Sequence, residues 1–207
     1  MKKSKLIYKI ESLTDTLESF VVSKDLFIIM IDLCDSTELK QFCIDNSLPD
    51  SFWIMRQKIF LARTATIIRQ YKGTIVKTIG DEIMAIFDID IDPKKIIQCC
   101  TEVFQNFNGL KQYNKGRFKI NSKASIDFGN CVNGDILENS PYDPIGTCVD
   151  RCARISKSVN QNEIVFSEDF FELLQLKGDT IFGYKVFPLS DSFKGLGKIK
   201  FYKLVSV

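Results

Sequence analysis

Apolar and polar positions along the chain alternate between two periods, and the boundaries between them outline the elements. Residues 5–22 place Leu6, Ile7, Ile10, Leu13, Leu17 and Phe20 at helical spacing on a polar segment, which predicts an N-terminal helix. The run from Asp25 to Asp32 is almost continuously apolar and bounded by aspartates, as a strand buried on both faces requires. Helical spacing begins at Asp35-Ser36-Thr37, with Asp35 or Ser36 as N-cap. A second helix is predicted from Ser51 to Tyr71, ended by Lys72-Gly73 with the glycine at the left-handed position. Thr74–Ile79 and Glu82–Phe87 flank Gly80-Asp81 and read as a hairpin. A helix over 93–113, strands over 117–128 and 131–136, a helix over 147–159 and strands over 163–166, 182–188 and 198–207 complete the chain. Helices alternating with strands around one hairpin predict an α/β sandwich (α+β), with a mixed, mainly antiparallel sheet and helices packed on it.

Composition narrows the picture. A chain of 207 residues with 45% hydrophobic content buries one core of ordinary size, so the expected division is a helical extension over 1–24 and one domain over 25–207. The formal net charge is +2 and no basic block is long, which argues against a nucleic-acid partner or membrane-surface footprint. No apolar stretch reaches the length of a membrane span, and the 7 cysteines lack the paired spacings of a zinc site or disulfide framework. The expectation is a cytoplasmic protein in a reducing compartment.

One absence carries chemistry. There is no histidine, so a hydrolytic triad with a histidine base is excluded, and a metal site has to be built from oxygen donors. That favours hard cations, magnesium or manganese. Asp32 ends a buried strand and Asp81 caps a hairpin, so the two carboxylates would meet at one sheet edge if their strands are neighbours. Each alone is more often a turn former or helix cap. The adjoining turn Leu33-Cys-Asp-Ser-Thr37 opens a helix, whose free backbone amides suit an anionic phosphate.

Three segments together carry a resemblance: Phe27–Thr37, Lys77–Ala85 and Asp143–Arg154 are similar, in order and separation, to the signatures of class III adenylyl and guanylyl cyclases. The resemblance spans about residues 25–205 and implies a ferredoxin-like βαββαβ core. It also implies that Asp32, Asp81 and the Leu33 carbonyl bind two divalent metal ions, while Ser36 and Thr37 offer backbone donors to the terminal phosphate. Lys77 and Asp143 match the pair that reads adenine in the adenylyl branch, and Arg154 matches the arginine that stabilises the transition state. Lys194, in Phe193–Gly197, resembles the lysine of the outer phosphates, with a solvated turn lysine as the alternative. For Arg154 the alternative is a surface ion pair with Asp150 at i, i+4. In the family the site is shared between two subunits, so a chain carrying both halves implies a homodimer with two sites.

The sequence departs from the pattern at Asp150, where the family has an asparagine that donates to the ribose. A carboxylate donates only when protonated. This leaves a retuned ribose pose, a water-bridged contact, or a weakly active cyclase-like module that binds nucleotide or dimerises. The base is open as well, since cytosine offers the same acceptor and amine as adenine, and uracil meets the pair with exchanged roles. The small catalytic unit is similar to the stand-alone pyrimidine cyclases of antiphage Pycsar systems, which make cyclic UMP or cyclic CMP for a separate effector. The expectation leans that way, with adenylate cyclase as the alternative.

Overall fold

The structure, a computed structural model, describes residues 23–107, 118–132 and 143–206. The helix expected over 5–22 lies outside the described residues, as do residues 108–113 of the third predicted helix and 133–136 of a predicted strand. β1 (Ser23–Leu33) follows from its apolar run: nearly every residue from Leu26 to Leu33 is buried, because helices cover both faces of the sheet there. It pairs antiparallel with β3 (Glu82–Asp88) on one side and with β4 (Ser122–Val132) on the other. β2 (Thr74–Ile79) joins β3 as the predicted hairpin. β5 (Ile164–Ser167), β6 (Thr180–Ile181), β7 (Tyr184–Phe193) and β8 (Gly197–Ser206) extend the sheet to the order β2-β3-β1-β4-β5-β8-β7-β6. Only β4 and β5 run parallel among these neighbours. The first four strands, in the order β2-β3-β1-β4, form the expected βαββαβ core.

The alternation of β1 divides the packing. Phe27, Ile29, Ile31 and Leu33 share a core with Phe60, Ile67 and Ile68 of α2 (Ser51–Gln70), Ile96, Ile97 and Val103 of α3 (Pro93–Asn106) and Phe170 of α5 (Glu168–Leu174). Leu26, Ile28 and Met30 pack instead with Cys148 and Cys152 of α4 (Thr147–Ile155). Each such side chain contributes about 1.5–3 kcal/mol of burial, so a one-residue slip of β1 would exchange the two cores and is strongly disfavoured. α1 (Ser36–Asp45) follows β1 directly. No helix among the described residues is long and apolar enough to cross a membrane.

Several boundaries differ from expectation for local reasons. Lys72, not Gly73, takes the left-handed conformation after α2, with φ 66°. Gly73 is required for space, since a Cβ there would lie 2.5 Å from Ile68 Cγ2 and 2.7 Å from the Phe87 ring. Asp35 stands at the N-cap of α1 but is left-handed, and its side chain makes no capping bond. The two strands expected either side of Gly129 are one strand, β4, in which a glycine leaves room for Cys148, 3.0 Å from where a Cβ would sit. The predicted 147–159 helix tightens to a 3₁₀ turn after Ile155. α5 and β6, too short to show a period, were not expected. β7 runs through Pro188, tolerated because β6 pairs only with Tyr184 and Lys185, leaving the rest of that edge free.

Candidate active site

The register of β1 brings the chemistry together. Asp32 lies opposite Glu82 on one neighbouring strand and Lys123 on the other. Asp81 occupies the two-residue turn that delivers Glu82. Gly80 precedes it at φ 65°, with open space around its Cβ position, so the glycine is there for backbone conformation. Gln57 of α2 donates to the Gly80 carbonyl at 2.7 Å and fixes the turn against the body. Asp32, Leu33, Ser36, Thr37, Asp81 and Lys123 all line one open cleft of ≈ 370 Å³.

The cleft carries excess negative charge. Lys123 Nζ lies 3.3 Å from Asp32 Oδ2, and among the described residues it is the one lysine lining the cleft. Burial raises the Asp32 carboxyl above its ordinary value, Lys123 opposes the shift and Asp81 adds to it. Glu82 is pushed up to about 7, first by burial and then by the charge of Asp32. Crowded, partly desolvated carboxylates of this kind are relieved by a divalent cation. Among the described residues no group of three or more His, Cys, Asp or Glu side chains is arranged to hold a metal ion. Asp32 and Asp81 therefore fit a cation that takes one or two carboxylates and completes its shell with water and phosphate oxygens, as magnesium does.

Next to these carboxylates, the Leu33 carbonyl accepts the Ser36 hydroxyl at 3.2 Å and keeps a second lone pair. The first intrahelical bond of α1 runs from Leu39 N to Asp35 O, so the amides of Ser36, Thr37 and Glu38 precede the helical ladder at its positive end. Beneath the loop, Arg56 donates to the Cys34 carbonyl at 2.8 Å.

The other predicted residues lie elsewhere. Lys77 of β2 and Asp143, which are 66 residues apart in sequence, form an ion pair at 2.5 Å. Asp150 is exposed in the first turn of α4 and Arg154 is partly buried in its last, with no ion pair between them. Lys194 is exposed in the β7–β8 turn. None of these five residues lines the Asp32–Asp81 cleft.

Three residues near the site were passed over in the sequence. Lys123 is one polar position in a mostly buried strand, and Glu82 reads as an ordinary hairpin residue. Arg56 left a signal: it precedes Phe60 by four residues on the stripe Arg56, Phe60, Thr64, Ile67 that α2 buries. A fourth residue, Arg151, is structural. It grips the fully buried Asp127 through Nε at 2.7 Å and Nη2 at 2.6 Å, and it also bonds Asp169.

Comparison with known proteins gives a consistent family. The guanylyl cyclase Cya2 superposes with a TM-score of 0.75 at 20% identity, covering 90% of this chain and 94% of its own. The adenylyl cyclase CyaB from P. aeruginosa gives 0.72 at 19%, covering 90% and 96%. The guanylate cyclase domain of RhGC from Catenaria anguillulae, in complex with GTP, gives 0.72 at 13%, covering 89% and 98%. No curated protein matches by sequence. These structural likenesses speak for the fold, and the family description "Adenylate and Guanylate cyclase catalytic domain" matches residues 22–206. The chain belongs to that family and is a nucleotide cyclase catalytic domain, a phosphorus–oxygen lyase.

Proposed function

We propose that the chain converts a nucleoside triphosphate to its 3′,5′-cyclic monophosphate and pyrophosphate at two sites shared across a homodimer. The observation that supports it is the separation just described: the cleft of Asp32, Asp81 and the α1 amides includes none of Lys77, Asp143, Asp150, Arg154 or Lys194. A second copy would bring those groups over the first copy's cleft, and twofold symmetry would generate both sites at once.

In the reaction the ribose 3′-oxygen attacks the α-phosphorus, the bond from that phosphorus to the oxygen shared with the β-phosphate breaks, pyrophosphate leaves with that oxygen, and the hydroxyl proton passes to water. Asp32 and Asp81, with the Leu33 carbonyl, would hold two divalent ions, manganese or magnesium. When bound, these ions supply Lewis acidity toward the 3′-hydroxyl and the triphosphate. The amides of Ser36 and Thr37 receive the terminal phosphate, and Lys194 of the partner copy meets the outer phosphates. Arg154 presents a planar fork of donors to the charge that develops on the α-phosphoryl oxygens. Asp150 faces the ribose, where it accepts rather than donates.

The base is assigned to Lys77 and Asp143. Their contact sets one donor and one acceptor side by side. Cytosine presents an acceptor and an amine to such a pair, and uracil presents N–H and carbonyl in exchanged order. On this donor–acceptor edge we take the substrate to be UTP or CTP. The product, cyclic UMP or cyclic CMP, would signal in the cytoplasm to a separate effector in antiphage defence. A second reading, an adenylate cyclase, is favoured by the same ion pair, because adenine N1 and its amine also match it.

The deciding experiment incubates the protein with each of ATP, GTP, CTP and UTP plus manganese and identifies the cyclic product. Cyclic AMP alone would replace the pyrimidine assignment, and no product from any triphosphate would leave a nucleotide-binding or dimerisation module. Asp32→Ala and Asp81→Ala should each abolish pyrophosphate release, and undiminished turnover in both would sink the metal assignment. Mixing inactive Asp32→Ala with inactive Arg154→Ala should restore about a quarter of wild-type activity, since half the random dimers carry one intact site of two. For the signalling role, cyclic pyrimidine nucleotide should rise in cells on phage infection, and a flat level would remove it.

A further inference from the structure

Arg56 is 2% exposed, yet it forms no ion pair among the described residues. Among the described residues its guanidinium bonds only backbone carbonyls. Nη2 donates to Cys34 O at 2.8 Å and to Lys119 O at 3.0 Å, while Nε donates to Phe118 O at 3.2 Å. The three acceptors belong to two separate segments. Cys34 lies in the β1–α1 loop, between the Leu33 carbonyl and the Ser36 amide that line the cleft. Phe118 and Lys119 lie in the segment that enters β4 and carries Lys123 to the opposite wall. One further bond, Cys34 N to Asn121 O at 2.9 Å, joins the same two segments.

This is an unusual use of a buried cation. Burying an unpaired charge is costly, and in many proteins a well-packed apolar side chain of similar volume serves stability as well or better. What an apolar side chain cannot do is hold three carbonyls from two segments together. The guanidinium fork is the group that can, because its donors are rigidly disposed; a lysine ammonium offers its protons from a single atom. Burial lowers the pKa of the guanidinium, and Asp35, Cys34 and Asp81, all three of which line the cleft, oppose that shift.

We propose that Arg56 is a positioning residue for the triphosphate site, clamping the β1–α1 loop to the β4 entry so that the Leu33 carbonyl and the Ser36 and Thr37 amides converge with Lys123. It acts through the loop and touches no substrate atom. The inference rests on the reading that those amides take the terminal phosphates. Its consequence is kinetic: loosening the clamp weakens the hold on the phosphates in ground state and transition state alike, which raises KM and leaves kcat nearly unchanged. A purely structural role would lower the fraction of folded enzyme, and so kcat, with KM unmoved.

The test compares wild type, Arg56→Lys and Arg56→Met by steady-state kinetics with manganese and the triphosphate that wild type cyclises best, using inorganic tripolyphosphate as a base-free competitor. Arg56→Lys keeps the charge and most of the stem but loses the fork, which makes it the decisive variant. In Arg56→Lys, KM and the tripolyphosphate inhibition constant should rise together by about tenfold, as expected for misplaced binding groups, with kcat within about twofold. Unchanged KM and inhibition constant in Arg56→Lys overturn the proposal. So does a fall in kcat alone, or failure of Arg56→Lys to fold, each of which makes the residue structural. If tripolyphosphate does not compete in the wild type, the phosphate-site reading itself fails and the role of Arg56 falls with it. Competition in the wild type with equal constants in both variants removes Arg56 alone.

Discussion

Replacing Glu82 by glutamine tests the electrostatics of the cleft without any substrate. Glu82 faces Asp32 across the β1–β3 pair, Asp81 adjoins it in the turn, and its carboxyl is pushed from 4.5 up to about 7, chiefly by burial. In the metal-free protein the native state then binds more protons than the unfolded chain between these two values, so stability falls as pH rises through that window. For a fully buried group the displacement would correspond to about 3 kcal/mol. Glu82 is only partly buried and Lys123 lies nearby, and solvent screening reduces the figure to roughly 1–2 kcal/mol. Urea unfolding in EDTA, followed by circular dichroism at pH 5, 6, 7 and 8, measures it. The difference between wild type and Glu82→Gln isolates this carboxyl from the rest, because the amide keeps the volume and removes the charge. Wild type should lose stability relative to the variant on going from pH 5 to 8. Manganese should narrow the gap at pH 8, where the carboxylate cluster is most fully charged. A difference that is flat, or that grows in favour of wild type with rising pH, would refute the placement of Glu82 beside Asp32 in a low-dielectric cleft.

Other outcomes follow from packing and from the base pair. Gly73→Ala should cost about 1–3 kcal/mol in a thermal melt, because its methyl would enter space held by Ile68 and Phe87; an unchanged melt would show that this corner of the core yields freely. Arg151→Met leaves the fully buried Asp127 without its partner and should cost about 3–5 kcal/mol by urea titration, whereas a loss under 1 kcal/mol would mean the carboxylate is otherwise satisfied. Lys77→Ala should reduce discrimination among the four triphosphates by roughly tenfold or more through the loss of one charged hydrogen bond. Identical selectivity in wild type and variant, measured as kcat/KM ratios, would move base reading away from this residue.

Those expectations draw unequally on sequence and on structure. The β1 run and the β2–β3 hairpin were legible because each is determined by neighbours in the chain: an apolar stretch of strand length, and a Gly-Asp turn between two alternating segments. Gly73 shows the limit of local reading. Its position suggested a left-handed cap, but Lys72 adopts that conformation, and the glycine answers to the Phe87 ring on another strand. Asp35 shows it again, a helix-capping residue by type that makes no capping bond.

The candidate site divides along the same line. The resemblance of three segments to the cyclase signatures pointed to Asp32, Asp81, Lys77, Asp143 and Arg154, and the residue types fit the carboxylates, donors and arginine that a triphosphate with metal ions calls for. The absence of histidine removed the main competitor. Lys123, Glu82 and Arg56 could not be found that way. Lys123 and Glu82 matter only because β1 lies between β3 and β4 in one register, and Arg56 because α2 crosses beneath a loop 22 residues earlier and a strand entry 62 and 63 residues later in the chain. By itself the sequence determined the fold class and most of the element order, since these depend on local period and residue type, and its three signature segments pointed to the kind of chemistry. The tertiary structure alone decided how charge is balanced in the cleft and what holds its loop, because these depend on distances between segments that no local pattern encodes.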